Sequence, residues 1–350
     1  MDCEFITTGE LAEKCYPVQV GYISVTSLTT TPISTLDLHL LTSLRYDPLL
    51  LTRSWNTWPG NPPSPFFLLP FHLERLINGA RDFDWPKALE VLCGTGSDVP
   101  QLEQFRSFCQ ACVDRYFAEH PGSDADHPLK VRCYFPFIQP TNHTYTYTSV
   151  RQIRITLSPT GTLHADASPT PRRPYDLLAA SRFDPSPLNA VTINNSTLDL
   201  STLPPFATPP LRVLLDTQPT PSSILTSHKT TVRPHYDAAR ARASIPAPSA
   251  SSASPPAEVL LYTPGAALIS EGSIRNVAFY RENRWTTPSL STGCLPGVVR
   301  RLLVESGRVV EGAVPLNAVR VGEWVMLCNG VEGCVLGVVL GDSEGAREDT

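Results

Sequence analysis

Thirty-five prolines in 350 residues set the first limit on what this chain can fold into. Proline fixes φ and removes a backbone donor, so helix interiors and central strands must fit between prolines. Two stretches offer no room for either. Residues 165–209 are rich in Pro, Ser, Thr and Asn, have weak periodicity, and read as an interdomain linker with a surface insertion. Residues 246–256 are nearly all Ala, Ser and Pro and read as a disordered insertion. The patterned remainder predicts two domains in a mixed α/β (α+β) fold: a smaller N-terminal domain over 1–164 and a larger C-terminal one over 210–350.

In the first part, branched and aromatic residues predict strands at 21–25, 38–45, 131–135 and 153–157. Leu73, Leu76, Ile77 and Ala80 fall on one face of a helix over 67–84, with Pro86 as its outer limit. A further helix covers 102–119. In the second part, strands are expected at 211–216, 259–262, 267–270, 277–280, 323–328 and 334–340. Helices are expected at 234–243 and 296–306, the latter closed by Gly307.

Composition narrows the function classes. The net charge of −5 comes with no basic block, which argues against nucleic acid or an anionic membrane as partner. The longest apolar run, 334–340, is too short to span a bilayer. Met1-Asp2-Cys3-Glu4-Phe5 has neither the basic nor the apolar segment of a secretion leader. Nine cysteines without such a leader read as reduced thiols in a cytoplasmic protein. Cys109 and Cys112 fall on a helix face with Leu102, Phe105 and Tyr116, and no second ligand pair stands near in sequence. Buried core thiols are expected there, and no metal site.

Only four of the 28 basic residues are lysine, at positions 14, 87, 130 and 229. Lys229 lies among the polar residues 227–236, with His228 beside it and Arg233 four residues on. A lysine that forms a Schiff base needs desolvation or nearby cations to be partly neutral. Glu271 ends an apolar strand before a Gly turn, where a carboxylate must meet a cation: a structural arginine or a protonated pyridine nitrogen. Leu295-Pro296-Gly297-Val298-Val299 opens a helix and offers free N–H groups to an anion. Arg75, in His72-Leu73-Glu74-Arg75-Leu76, sits beside leucines at a helical position that would leave it half-buried.

In their order along the chain, Arg75, Lys229, Glu271 and then Leu295-Pro296-Gly297, the elements resemble the class IV aminotransferases, the fold type IV enzymes that use pyridoxal 5′-phosphate (PLP). The likeness runs from about residue 38 to 340 and covers most of the chain. Residues 41–48 and the Lys229-Thr230-Thr231-Val232-Arg233 element look most like the fungal 4-amino-4-deoxychorismate lyases within that family. The resemblance implies a cofactor in the interdomain cleft and a homodimer. Lys229 would carry the cofactor and move the proton, and Glu271 would pair with the ring nitrogen. Arg75, Gly297, Val298, Val299 and Asn329 would surround the phosphate; Arg45, Thr42 and Arg233 would face a substrate that bears an amino group and two carboxylates. The family usually has Thr where Val299 stands, and often where Gly330 stands, so the resemblance also implies weaker cofactor retention, by about 1 kcal/mol for each lost hydroxyl. The implied reaction is a lyase step giving 4-aminobenzoate and pyruvate, as in folate precursor biosynthesis. The alternative is a transaminase acting on branched-chain, D-amino acid or amine substrates, and the turn Glu271-Gly272-Ser273-Ile274-Arg275-Asn276 resembles the transaminase version. A non-catalytic relative is a third reading, opposed by the presence of Lys229, Glu271 and Arg75.

Overall fold

Two β-sheets, each covered by helices, organise the chain. The computed structural model describes residues 38–58, 60–120, 129–132 (backbone only), 155–171, 173, 175–188, 203–206, 209–247 and 256–341. The strand expected at 21–25, the end of the one at 131–135, positions 172, 174, 189–202 and 207–208 of the 165–209 stretch, and most of the 246–256 stretch lie outside these residues.

The first sheet is antiparallel. It contains β1 (Leu40–Tyr46), β2 (Leu129–Arg132), β3 (Ile155–Leu157), β4 (Leu163–His164) and β5 (Asp166–Pro169), in the order β4-β3-β1-β2-β5. Three helices belong with it: α1 (Leu69–Asp82), α2 (Pro86–Cys93) and α3 (Leu102–Glu119). The α1 face of Leu73, Leu76, Ile77 and Ala80 is buried with Leu40 and Leu44 of β1 and with Phe105, Cys109 and Val113 of α3. Gly79 lets α1 come close to β1, since a Cβ there would stand 2.5 Å from Leu40 Cδ2. Cys109 and Cys112 are buried free thiols, and burial pushes Cys112 up to about 12.

Pro86 is not only a limit. The first helix stops at Asp82, and Pro86 opens α2, which the sequence did not predict. Proline is tolerated in a first helical turn because its missing N–H has no acceptor there in any case. The start of α1 is held by Asn56. Its Nδ2 donates to the carbonyls of Ser64 (2.9 Å) and Phe66 (3.2 Å), and its Oδ1 accepts the N–H of Leu68 (2.8 Å). Leu68 has φ of 53°, uncommon for a residue other than glycine, and the Asn56 bonds stabilise it.

The second sheet is mixed. Its strands are β6 (Leu211–Leu215), β7 (Ala257–Tyr262), β8 (Ile269–Gly272), β9 (Asn276–Arg281), β10 (Arg284–Pro288), β11 (Val309–Gly312), β12 (Trp324–Asn329) and β13 (Gly333–Val339). The order is β11-β10-β9-β12-β13-β6-β7-β8. Pairs β10/β11, β13/β6 and β6/β7 are parallel, and the rest are antiparallel. Trp324, Met326 and Cys328 go to one core and Val325 and Leu327 to the other, so β12 is apolar on both faces. Its helices are α4 (Ile224–Ser227), α5 (Pro234–Arg242) and α6 (Val298–Glu305). Gly307, at φ of +67°, follows α6 and donates to the Val304 carbonyl (3.0 Å), as a C-terminal glycine does.

β10 and β11 were not predicted. In β10 polar residues dominate, yet its hairpin with β9 carries a signal in Glu282 and Asn283, both at positive φ. The strand expected at 267–270 instead runs Ile269–Gly272, because Gly265 and Ala267, at φ of 73° and 46°, keep the residues before it in a turn.

Gly333 closes the β12–β13 hairpin at φ of +73°, where a Cβ would meet the Leu177 carbonyl oxygen at 2.4 Å. That carbonyl accepts the Cys334 N–H (2.7 Å). Gly333→Ala is expected to lower the unfolding free energy by about 2–3 kcal/mol. Denaturant titration would show this as an earlier midpoint, and an unchanged midpoint would refute it.

Candidate active site

The largest concentration of sequence-predicted residues lines one cavity of about 380 Å³. Its wall includes Arg45, Arg75, Lys229, Arg233, Glu271, Gly297, Val298 and Asn329.

Lys229 reaches this wall because its backbone is sewn to β1. Leu41 N–H donates to the Lys229 carbonyl (2.8 Å), and Thr231 N–H donates to the His39 carbonyl (2.9 Å). The Thr231 hydroxyl accepts the His39 N–H (3.0 Å). His228 pairs with Asp82 at the end of α1 (2.8 Å). Arg233 donates to the Ser273 carbonyl (3.0 Å), pairs with Asp237 (3.2 Å) and lies over the Tyr236 ring.

Glu271 stands inside β8 and is buried. Its Oε1 accepts the Tyr236 hydroxyl (2.6 Å) and the Leu295 N–H (3.2 Å). Burial raises its pKa to about 7, although these bonds and Lys229 pull the other way. The Tyr236 hydroxyl is pushed well above its ordinary range by burial and by Glu271. Tyr236, to which the sequence pattern assigns no role, is placed by the fold against the carboxyl.

Gly297 precedes α6, and Arg301 N–H donates to its carbonyl (2.8 Å). The N–H groups of Val298 and Val299 therefore start the helix with no intrahelical acceptor. Asn276 clamps this turn through the Leu295 carbonyl (2.9 Å), so closely that a Cβ on Gly297 would stand 1.9 Å from Asn276 Oδ1. The Val299 side chain is in the core with Leu303, leaving only its backbone toward the helix start. Asn329 lines the cavity, but its side chain bonds the N–H groups of Val331 and Glu332 and the Glu332 carboxylate, so it shapes the loop.

Arg75 is half-buried, and among the described residues no carboxylate pairs with it. Its Nη2 donates to Thr42 Oγ1 (2.6 Å), and among the described residues its sealed Nε has no partner. Burial lowers it to about 10. Arg275 shows the contrast: it is fully buried but meets Glu332 twice and Glu258 once, each at 2.9 Å. Thr42 does not stand on the wall: it is wholly buried beneath Arg75 and touches His72 Nδ1 (2.6 Å). Arg45 does line the cavity, paired with Asp47 (2.8 Å) and donating to the Pro171 carbonyl (3.2 Å). Arg173, Arg275 and Glu332 also line it and were not singled out from sequence as site residues.

The arrangement offers an amine, a carboxyl that can hold or release a proton near neutrality, and a guanidinium with a helix start suited to an anion. Residues 154–337, just over half of the chain, match the family described as amino-transferase class IV. The chain belongs to the class IV aminotransferase family. It is 32% identical over 197 residues to the aminodeoxychorismate lyase of Saccharomyces cerevisiae, covering 54% of this chain and 51% of the yeast protein. The chain thus spans about half the length of that curated relative. An apo structure of a hypothetical aminotransferase from Mycobacterium tuberculosis has the same fold, with a TM-score of 0.51 at 14% identity over 90% of this chain and 88% of that one. Its PLP-bound form gives 0.50 at 14% identity, covering 86% and 81%. Class IV family members bind PLP, as that form illustrates. Among the described residues, no helix is long and apolar enough to cross a membrane, and no group of three or more His, Cys, Asp or Glu could hold a metal.

Glu271 makes stability depend on pH. Its pKa rises from 4.5 in the unfolded chain to about 7 in the fold, so the folded protein keeps a proton that the unfolded chain releases. This contribution is complete below the lower value and is lost as pH rises through the upper one. In protein freed of small molecules, Glu271→Gln should shrink the difference in unfolding free energy between about pH 5 and about pH 8 by roughly 2–3 kcal/mol. Denaturant unfolding at the two pH values tests this, and an undiminished difference would refute it.

Proposed function

We propose that this chain is a PLP-dependent lyase that converts 4-amino-4-deoxychorismate to 4-aminobenzoate and pyruvate. The observation that carries the cofactor part is the common wall of Lys229, Glu271 and Arg75, the last a guanidinium with no carboxylate partner among the described residues. The yeast relative's name supports the substrate part. Arg173 and Arg233, with Arg45 behind the Pro171 carbonyl, suit a substrate with two carboxylates.

The residues present fit PLP. Arg75 and the N–H groups of Val298 and Val299 would hold its phosphate, and the second oxygen of Glu271 is available for its ring nitrogen. When bound, PLP supplies an electron sink beside the substrate amine. Lys229 would provide the amine that holds it, and the same amine would take the proton from the amine-bearing carbon of the substrate. The carbon–oxygen bond to the enolpyruvyl group then breaks, its electron pair leaves with the oxygen, and the ring becomes aromatic. The departing enol picks up a proton as pyruvate, so the atoms balance without a second substrate. Tyr236 and the Leu295 N–H fix the Glu271 carboxyl so that it cannot swing away during these steps.

Supplied with 4-amino-4-deoxychorismate made by a synthase from chorismate and glutamine, the protein should release 4-aminobenzoate. Lys229→Ala should lower that rate by about 10³-fold. Product at the wild-type rate from the alanine variant would sink the assignment. Transfer of an amino group from an amino acid to a 2-oxo acid, without 4-aminobenzoate formation, would replace the lyase with a transaminase.

A further inference from the structure

Five arginines line the cavity, and carboxylates among the described residues match three of them. Arg45 pairs with Asp47, Arg233 with Asp237, and Arg275 with both Glu258 and Glu332. Arg75 is assigned above to the cofactor phosphate. Arg173 is the remainder: half-buried, on the wall, and without a carboxylate partner among the described residues. Its Nη1 donates to the Tyr175 hydroxyl (2.9 Å). Among the described residues its Nε and Nη2 have no hydrogen bond, and unlike the Nε of Arg75 they are not sealed. Those two N–H groups form the planar edge with which Arg275 grips Glu332 (2.9 Å twice) and Arg242 grips Asp216 (2.7 and 2.6 Å). On Arg173 the same edge is open, charged and shaped for a carboxylate.

The backbone that carries Arg173 is anchored on both sides of it. It follows β5, and Pro169, Thr170 and Pro171 line the cavity beside it. The two prolines fix φ at their positions. Arg45 Nη1 donates to the Pro171 carbonyl (3.2 Å), which ties the segment to β1. After Arg173, the Tyr175 ring meets Phe206 edge-on (6.3 Å). A guanidinium on an anchored segment has less freedom to lose when it takes a ligand. Its charge also reaches across the cavity: against burial, Arg275 first and then Arg173 hold the Glu332 carboxyl below its usual range.

We propose that Arg173 is the specificity-determining residue of the cavity: its Nε–Nη2 edge binds one carboxylate of the substrate. This rests on the lyase reading above, whose substrate carries two carboxylates, one that departs with pyruvate and one that stays on the ring. It also gives a recognition role to the 165–209 stretch, which composition alone marks as a linker and surface insertion.

Two substitutions in the full-length, PLP-loaded protein test this. Arg173→Gln removes the charge, and Arg173→Lys keeps the charge without the fork. With 4-amino-4-deoxychorismate, Arg173→Gln should raise KM by about 10- to 100-fold, the range for hydrogen bonds to a charged group, and leave kcat within about 3-fold. Arg173→Lys should fall between wild type and Arg173→Gln. PLP affinity and the denaturant midpoint of Arg173→Gln should match wild type. The two products separate the two carboxylates: inhibition by 4-aminobenzoate should weaken in Arg173→Gln if the ring carboxylate is held, and inhibition by pyruvate if the departing one is. An unchanged KM would overturn the proposal, as would undiminished inhibition by both products. So would a loss confined to kcat, or a parallel loss of PLP affinity, since each makes Arg173 a support for the rest of the site. Wild-type protein that forms no 4-aminobenzoate would instead remove the lyase reading on which the proposal depends.

Discussion

The site depends on the stitch between β1 and the residues around Lys229. Three hydrogen bonds tie His39 and Leu41 to Lys229 and Thr231, and they fix the lysine backbone against a strand of the other sheet. Without them the lysine would ride on the short segment between α4 and α5, where backbone freedom would scatter its amine. With them, the same β1 strand that holds Lys229 also carries Thr42, and Thr42 holds Arg75. One strand thus sets the separation between the amine and the guanidinium. Precise placement of reacting groups in this way is worth more than any single contact they make.

The two arginines of the cavity wall that differ most, Arg75 and Arg275, show how the fold handles charge. Arg275 is buried and matched by two carboxylates, and their attraction outweighs burial and raises its pKa. Its work is to lock the turn after Glu271 onto β7 and the β12–β13 loop, which explains an arginine in that turn on structural grounds. Arg75 makes polar contact with a hydroxyl and an imidazole, and its pKa falls. A guanidinium left in that state is unfavourable until an anion arrives. Arg301 bonds Glu74 and lies over the Phe71 ring (4.1 Å), so α1 and the N-terminal half of α6 are held to each other.

The limits of α3 and most strands of the second sheet were legible because apolar periodicity is a local property. Where the reading failed, the deciding contact was distant or the residue had two meanings. Pro86 ends one helical pattern and begins another, and nothing in its immediate neighbours says which matters. β10 is polar because Thr287 uses its hydroxyl on the Val277 carbonyl (2.8 Å), a contact the periodicity rule cannot see. Among the site residues, Lys229, Glu271, Arg75 and Gly297 were visible through their chemistry and order. Thr42 was assigned to the substrate, yet its partners stand 30 and 33 residues away and turn it toward Arg75. His72 was read only as part of a helical run. Its ring bonds Thr42 and fills the space that a side chain at Gly330 would need, two facts that exist only once the chain has folded.

The field in the cavity opposes the charge of the chain. The protein carries a formal charge of −5, but Arg45, Arg75, Arg173, Lys229, Arg233 and Arg275 line the cavity against Glu271 and Glu332. Glu332 is spent on Arg275, and Asp47 behind the wall is spent on Arg45. Burial keeps Glu271 partly protonated near neutrality, so it cancels less positive charge than its formula suggests. A cavity of positive potential within an acidic surface concentrates small anions while the surface repels acidic macromolecules. It also supports the neutral state of His72, because every nearby cation makes another charge there more costly. The same cations that draw an anion in therefore keep the imidazole neutral, with its Nδ1 against the Thr42 hydroxyl.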